Sequence, residues 1–204
     1  MKNSFIILTF FIAGIICGLL LNPPENFPVE TISLWILYIL ILLVGVTVGA
    51  DLEAFKLIKS MKFKIFLLPA ATIIGTFSGV LALSFFLRDI SVKELIAVGS
   101  GFGYYSISSV IISQITGDKL GVIALLANVF REIITLLLTP LFVKFLGKFA
   151  PISSGGATSM DTTLPVISKF CGKEYSVISV FHGTILTILV PVIIPIILGA
   201  GVHK

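Results

Sequence analysis

Charge is scarce in this chain of 204 residues: 14 lysines and arginines and 10 aspartates and glutamates make up 12% of it, against 57% hydrophobic residues and a mean hydropathy of +1.16. Soluble domains carry about 25% charge, so an ordinary soluble globular protein is excluded. Cysteine is nearly absent as well. Cys17 and Cys171 form one pair with no spacing motif, which supports neither a disulfide framework nor a metal site, and both read as small buried thiols. No hydrolytic or redox constellation is present, so no enzyme and no cofactor is expected. The glycine run "GSGFG" lacks the βαβ unit that a dinucleotide site needs. Asp51 and Asp161 do not make an intramembrane aspartyl protease, because Asp51 stands at the start of a lysine-rich helix and not at mid-membrane. The net charge of +4 and pI near 9.1 come from lysines at segment ends, where they anchor to headgroups and set topology, so nucleic acid is rejected as a partner.

What the chain has in abundance is long apolar runs. A spanning helix needs roughly 20 apolar residues, which leaves room for about five to seven membrane segments and almost no soluble domain. The spacing predicts spans at about 4–21 and 31–49, joined by the proline-rich turn "NPPENFPVE", which has no lysine and reads as lying outside the cytoplasm. The N-terminal run offers no small-x-small cleavage site and is kept as a helix. Lys56, Lys59, Lys62 and Lys64 then mark a cytoplasmic link whose short helix Asp51 caps, and a third span at about 65–87 leads outward. The N-terminus is therefore expected inside and the C-terminus outside.

Beyond this the pattern changes. The stretch "LIAVGSGFGYYSISSVIIS" at 95–113 is interrupted by glycines and serines, a long span follows at about 119–143, then the broken stretch "GGATSMDTTLPVIS" at 155–168, and a last span at about 176–200. At a constant offset of 55, Gly101, Ile112, Ser113, Gly117, Val122, Ile123, Ile133 and Pro140 fall on Gly156, Ile167, Ser168, Gly172, Val177, Ile178, Ile188 and Pro195. The expected fold is all-α: one polytopic membrane transport domain over 1–204, with about five full transmembrane helices and two broken or re-entrant helices. The broken helices lie in repeat units at about 95–149 and 150–204, and inversion is favoured because the helix "LPVISKF" is too short to cross. Paired broken helices are the sequence sign of a secondary transporter whose site lies where the breaks meet.

Ionisable groups within a bilayer cost about 2.5–3.5 kcal/mol each on insertion scales, so the few present call for a role. They are Arg131, Glu132, Asp161 and His182. Asn128 shares a broad helical face with Arg131 and Glu132, whereas Arg131 and Glu132 diverge by about 100° and do not pair ideally. Asp161 is placed to cap the half-helix that follows, but Ser106 holds the equivalent position in the first break, so a carboxylate there exceeds what capping requires. An acid at a half-helix tip can hold an ammonium group or a proton. Ser106, Ser108, Ser109, Thr158, Ser159, Thr162 and Thr163 are candidates to hydrogen-bond a substrate, or equally to satisfy unwound backbone. Tyr104 and Tyr105 can stack on or gate a cation, or anchor at an interface. His182 is a candidate proton relay, or a contact between helices.

The stretches "GADLEAFKLIK", "GSGFGYYSISSVIIS", "LANVFREIITLLLTPL" and "GGATSMDTTLPVI" together resemble the lysine exporter LysO family of prokaryotic inner membranes, over essentially the whole chain. The resemblance implies export of L-lysine and of its toxic analogue thialysine in exchange for protons, with two essential intramembrane carboxylates that match Glu132 and Asp161. Arg131 is then expected to meet the substrate carboxylate, with Asn128, Ser106, Ser159 and Thr162 as further contacts. Family members usually carry an extra N-terminal third, so a small membrane subunit or a second copy of the chain is an expected partner beside lysine, protons and the lipid bilayer. Two other readings stay open: a sodium- or proton-coupled carboxylate carrier, and a non-transporting, holin-like membrane regulator.

Overall fold

The computed structural model describes residues 65–199 and a few separate positions before them. Apart from those positions, the expected spans at 4–21 and 31–49, the turn between them, the lysine-rich link and the Asp51 cap lie outside the described residues. All regular structure among the described residues is helical: α1 (Leu67–Ser84), α2 (Val92–Gly99), α3 (Tyr105–Thr116), α4 (Asp118–Leu146), α5 (Ala150–Gly155), a 3₁₀ turn (Gly156–Met160), α6 (Leu164–Cys171) and α7 (Lys173–Leu198). Helices α1, α4 and α7, with 18, 29 and 26 residues, are long and apolar enough to cross a membrane. Among the described residues they correspond to the third, fourth and last expected spans.

Local chemistry explains where the helices start and stop. Ser91 and Glu94 form a reciprocal capping box on α2, and the bonds from Ser91 hold the Glu94 carboxyl below the usual carboxylate range. Pro69 and Pro165 sit in the first turns of α1 and α6, where a missing N–H costs nothing. Pro140, Pro191 and Pro195 lie inside α4 and α7, as membrane helices tolerate when neighbouring groups re-satisfy the freed carbonyls. The sharp turns after α3 and α6 fall on Gly117 (φ 98°) and Gly172 (φ 109°), left-handed conformations that a side chain would strain. These two glycines are 55 residues apart, so the offset seen in the sequence reappears as the same backbone turn between a short helix and a long one.

On α4 the residues Val122, Leu126, Phe130, Ile134, Leu138, Leu141 and Phe145 recur every three or four positions and are exposed. Leu120, Ala124, Asn128, Thr135 and Thr139 on the other face are buried. The apolar face thus points outward and the small and polar face inward, the reverse of a soluble helix.

Two buried clusters form. The larger joins Ala97, Phe102, Ile112, Leu120, Ala124, Leu186, Val190 and Ile194, from α2, the turn after it, α3, the first half of α4 and the second half of α7. The smaller joins Ile152, Ile167, Cys171 and Ile178, with Leu68, Val143 and Tyr175 packed on it. Ile112 and Ile167, both fully buried, hold equivalent repeat positions in the two clusters. The segment that begins after α4 returns to where it started: Lys148 Nζ lies 3.6 Å from Glu174 Oε1 and over the Tyr175 ring, and Phe149 meets Tyr175 edge-on. Cys171 is buried as expected, whereas Cys17, also expected to be buried, is exposed; a free thiol behaves as a small hydrophobe, which suits a lipid-facing position as well as a core.

Candidate functional site

The two breaks meet backbone to backbone. Ala157 N donates to Phe102 O at 2.7 Å, and a side chain at Gly103 would come within 2.8 Å of Gly155 O. A side chain on Gly156 would collide with Phe102 O and press on the Arg131 guanidinium. Phe102 itself is fully buried with φ 45°, an uncommon conformation for a bulky residue and a local source of strain. Asn128 braces this contact from α4: its Oδ1 accepts from Gly103 N at 2.8 Å, and its Nδ2 donates to Ala124 O and Val98 O. Its amide is committed to holding the first break in shape.

Glu132 is the central residue of α4, about 21 Å from either end at 1.5 Å per residue. Its half-buried carboxyl lies within reach of the Thr162 hydroxyl and in the field of Asp161. Asp161 Oδ1 accepts from Thr162 N at 2.6 Å and faces Thr162 Oγ1 at 3.4 Å. Thr162 therefore stands between the two acids. Tyr105, the first residue of α3, feels the charge of both. The acids are thus brought together at mid-helix with a phenol from the first break beside them. Asp161 does not cap α6: the residue at that position is Thr163, and the Asp161 carboxylate bonds the amide before it. Ser106, its counterpart at the repeat offset, is exposed in the first turn of α3.

Arg131 leaves α4 on another side, as the 100° step between neighbours requires. Its Nε donates to Ser154 O at 2.8 Å and one Nη to Ser153 O at 2.9 Å, which serves the otherwise unpaired carbonyls at the end of α5. The other Nη reaches Thr76 Oγ1 at 3.4 Å. His182 is fully buried and bridges α1 and the second break: its Nε2 pairs with Thr72 Oγ1 at 3.0 Å and its Nδ1 with Ser159 Oγ at 3.1 Å. Thr72 continues to Ser153 Oγ at 2.8 Å, and Ser159 and Ser179 exchange hydroxyl-to-carbonyl bonds at 3.0 and 2.7 Å. Ser159 is thereby buried in the scaffold. Ser108, Thr158 and Thr163 likewise bond local carbonyls.

Sequence reasoning missed Thr72, Thr76 and Ser153, which join this polar network. The signal was there: Thr72, Gly75 and Thr76 share one face of α1 at helical spacing, inside a span otherwise fit for lipid.

Half-helices that meet at a polar, acid-bearing centre between long apolar helices define a polytopic helical membrane protein of the transporter class. The chain belongs to the lysine exporter LysO family, whose model matches residues 8–198. It is 32% identical over 188 residues to a Haemophilus influenzae protein named as a lysine exporter, covering 92% of this chain and 94% of that one. It is also 34% identical over 109 residues to the lysine exporter LysO of Escherichia coli K12, covering 53% of this chain and 36% of that protein. No solved structure matches it.

Proposed function

We propose that this chain exports L-lysine, and analogues such as thialysine, across the inner membrane in exchange for protons. The reading draws on the family and on one observation: Glu132 and Asp161 converge on Thr162 at the middle of a spanning helix. Two carboxylates sharing one hydroxyl repel each other unless a cation or a proton lies between them. An ammonium group and a proton can each fill that role, and alternation between them is antiport. Tyr105, and Ser106 in the next position, form the wall supplied by the first break. Asn128 and Ser159, expected as substrate contacts, act in this reading through the backbone they brace, as does His182, whose ring ties the second break to α1.

The chain is one transport domain, with units at about 95–149 and 150–204 in inverted orientation. The Lys148–Glu174 contact supports a second break that leaves the membrane on the side where it began. The approach of the position 199 backbone to Lys93 Nζ, together with the turn at Gly117, supports the same for the first break on the opposite side. The lysine-rich face is then cytoplasmic and the C-terminus outside. We propose further that a second copy of the chain, or a small membrane subunit, partners it in the membrane.

A growth test decides between this and the other readings. Cells expressing the chain survive a toxic lysine analogue if it exports lysine; a membrane regulator gives no such protection, and a carboxylate carrier responds to acids and not to lysine.

A further inference from the structure

A buried cation ordinarily needs a counter-charge. Arg131 has no carboxylate within salt-bridge distance among the described residues. Three of its N–H groups meet two carbonyls and a threonine hydroxyl, and a guanidinium has five. The α5 carbonyls offset part of the charge through their dipoles but do not neutralise it. Beside the guanidinium is a cavity of about 270 Å³ between α1, α4 and α5, bordered by Thr72, Thr76, Ser153 and Ser154, with Ala71 and Gly75 keeping it open. Hydroxyls, small residues and an uncompensated guanidinium are what an anion requires, and a carboxylate matches the guanidinium fork.

We infer that this cavity receives the α-carboxylate of the transported amino acid, while its side-chain ammonium lies at Glu132 and Asp161. The inference rests on the export reading above. Arg131 and Glu132 are consecutive on α4, and a helix with its side chains is about 10–12 Å wide, so head groups 100° apart on it are separated by on the order of 10 Å. An amino acid with a four-carbon side chain and an ammonium tip bridges that span. Gly156 of the second break lies against the guanidinium, where a side chain would press on Arg131. The transporter therefore selects for two groups, a free carboxylate and a distant amine. Diamines of equal length and carboxyl-blocked lysine are rejected, which keeps the decarboxylated diamine in the cell while lysine leaves.

The test is counterflow of labelled lysine in proteoliposomes holding the full chain, with unlabelled lysine, lysinamide and 1,5-diaminopentane as competitors, in chloride and in chloride-free buffer. Lysinamide and the diamine are expected to compete about 30-fold more weakly than lysine, the loss that follows removal of one partner of a buried charge pair. Thr76→Val, which leaves the capping of Ser153 and Ser154 intact, narrows the gap, and Arg131→Gln erases it. The wild-type comparison needs no variant, so a folding defect in R131Q does not decide the outcome. Equal competition by diamine and lysine in the wild type overturns the inference, and equal competition that also requires chloride assigns the cavity to an inorganic anion. If labelled lysine does not exchange at all, the export reading fails and the inference with it; exchange that ignores the carboxylate sinks the inference alone.

Discussion

Ala157 donates its amide hydrogen to the carbonyl of Phe102 at 2.7 Å, and the two residues stand at the same 55-residue offset that aligns the two breaks in sequence. That bond joins the two breaks directly. The two breaks are therefore not separate irregularities. Each is the surface on which the other rests, and the acids stand beside that contact.

Gly156→Ala tests the contact. The added Cβ meets Phe102 O and requires a left-handed alanine, so it costs about 1–3 kcal/mol in backbone strain alone and separates the breaks. Transport is expected to fall sharply with helix content by circular dichroism unchanged. Gly79→Ala, on α1 with nothing within 4 Å of its Cβ, serves as the control and is expected to be neutral or slightly stabilising. Equal behaviour of the two variants would show that the breaks are loosely joined.

His182→Ala removes a ring that satisfies Thr72 and Ser159 in a site with no access to water. Both hydroxyls keep other partners, so the loss is that of two hydrogen bonds at about 0.5–1.5 kcal/mol each, read as a lower midpoint of thermal unfolding in detergent. His182→Gln keeps one partner and loses less. A proton relay, in contrast, gives a variant of normal stability whose transport no longer responds to pH.

Thiol labelling tests the orientation of the repeats. In a background with Cys17→Ser and Cys171→Ala, Lys148→Cys and Glu174→Cys are expected to react with a membrane-impermeant reagent from the cytoplasmic face, and Lys93→Cys and Lys119→Cys from the outside. Labelling of 148 and 174 from opposite faces would mean that the second break crosses. The Lys148–Glu174 pair itself is half-exposed and contributes at most about 1 kcal/mol, so these substitutions leave the fold intact.

Much of the site was legible because the rules behind it are local. Apolar runs of the right length located α1, α4 and α7, and the constant offset located Gly117 and Gly172 at matching turns. The 100° step along a helix foretold that Arg131 and Glu132 would serve different neighbours, and they do. The cost of a charge in a bilayer picked out Arg131, Glu132, Asp161 and His182, and the structure gathers the two acids about Thr162. What was not legible depended on tertiary approach. Asp161 looked like a helix cap because spacing cannot show that Thr163 takes that position. For Asn128 and Ser159, expected as substrate contacts, nothing in sequence tells that Gly103 N and His182 take up hydrogen bonds of theirs. Thr72 and Thr76 passed as ordinary span residues, since a lone threonine in a membrane helix commonly bonds its own backbone, and only the arrival of His182 and Arg131 from elsewhere gives these two a further partner.

The central claim is that Glu132 and Asp161 together carry the transported cation. The most direct measurement is lysine efflux from proteoliposomes containing wild type, Glu132→Gln or Asp161→Asn, each checked for membrane insertion and helix content. Efflux is expected to be lost in both variants while insertion and helicity are retained; efflux near the wild-type rate in either variant would contradict the claim.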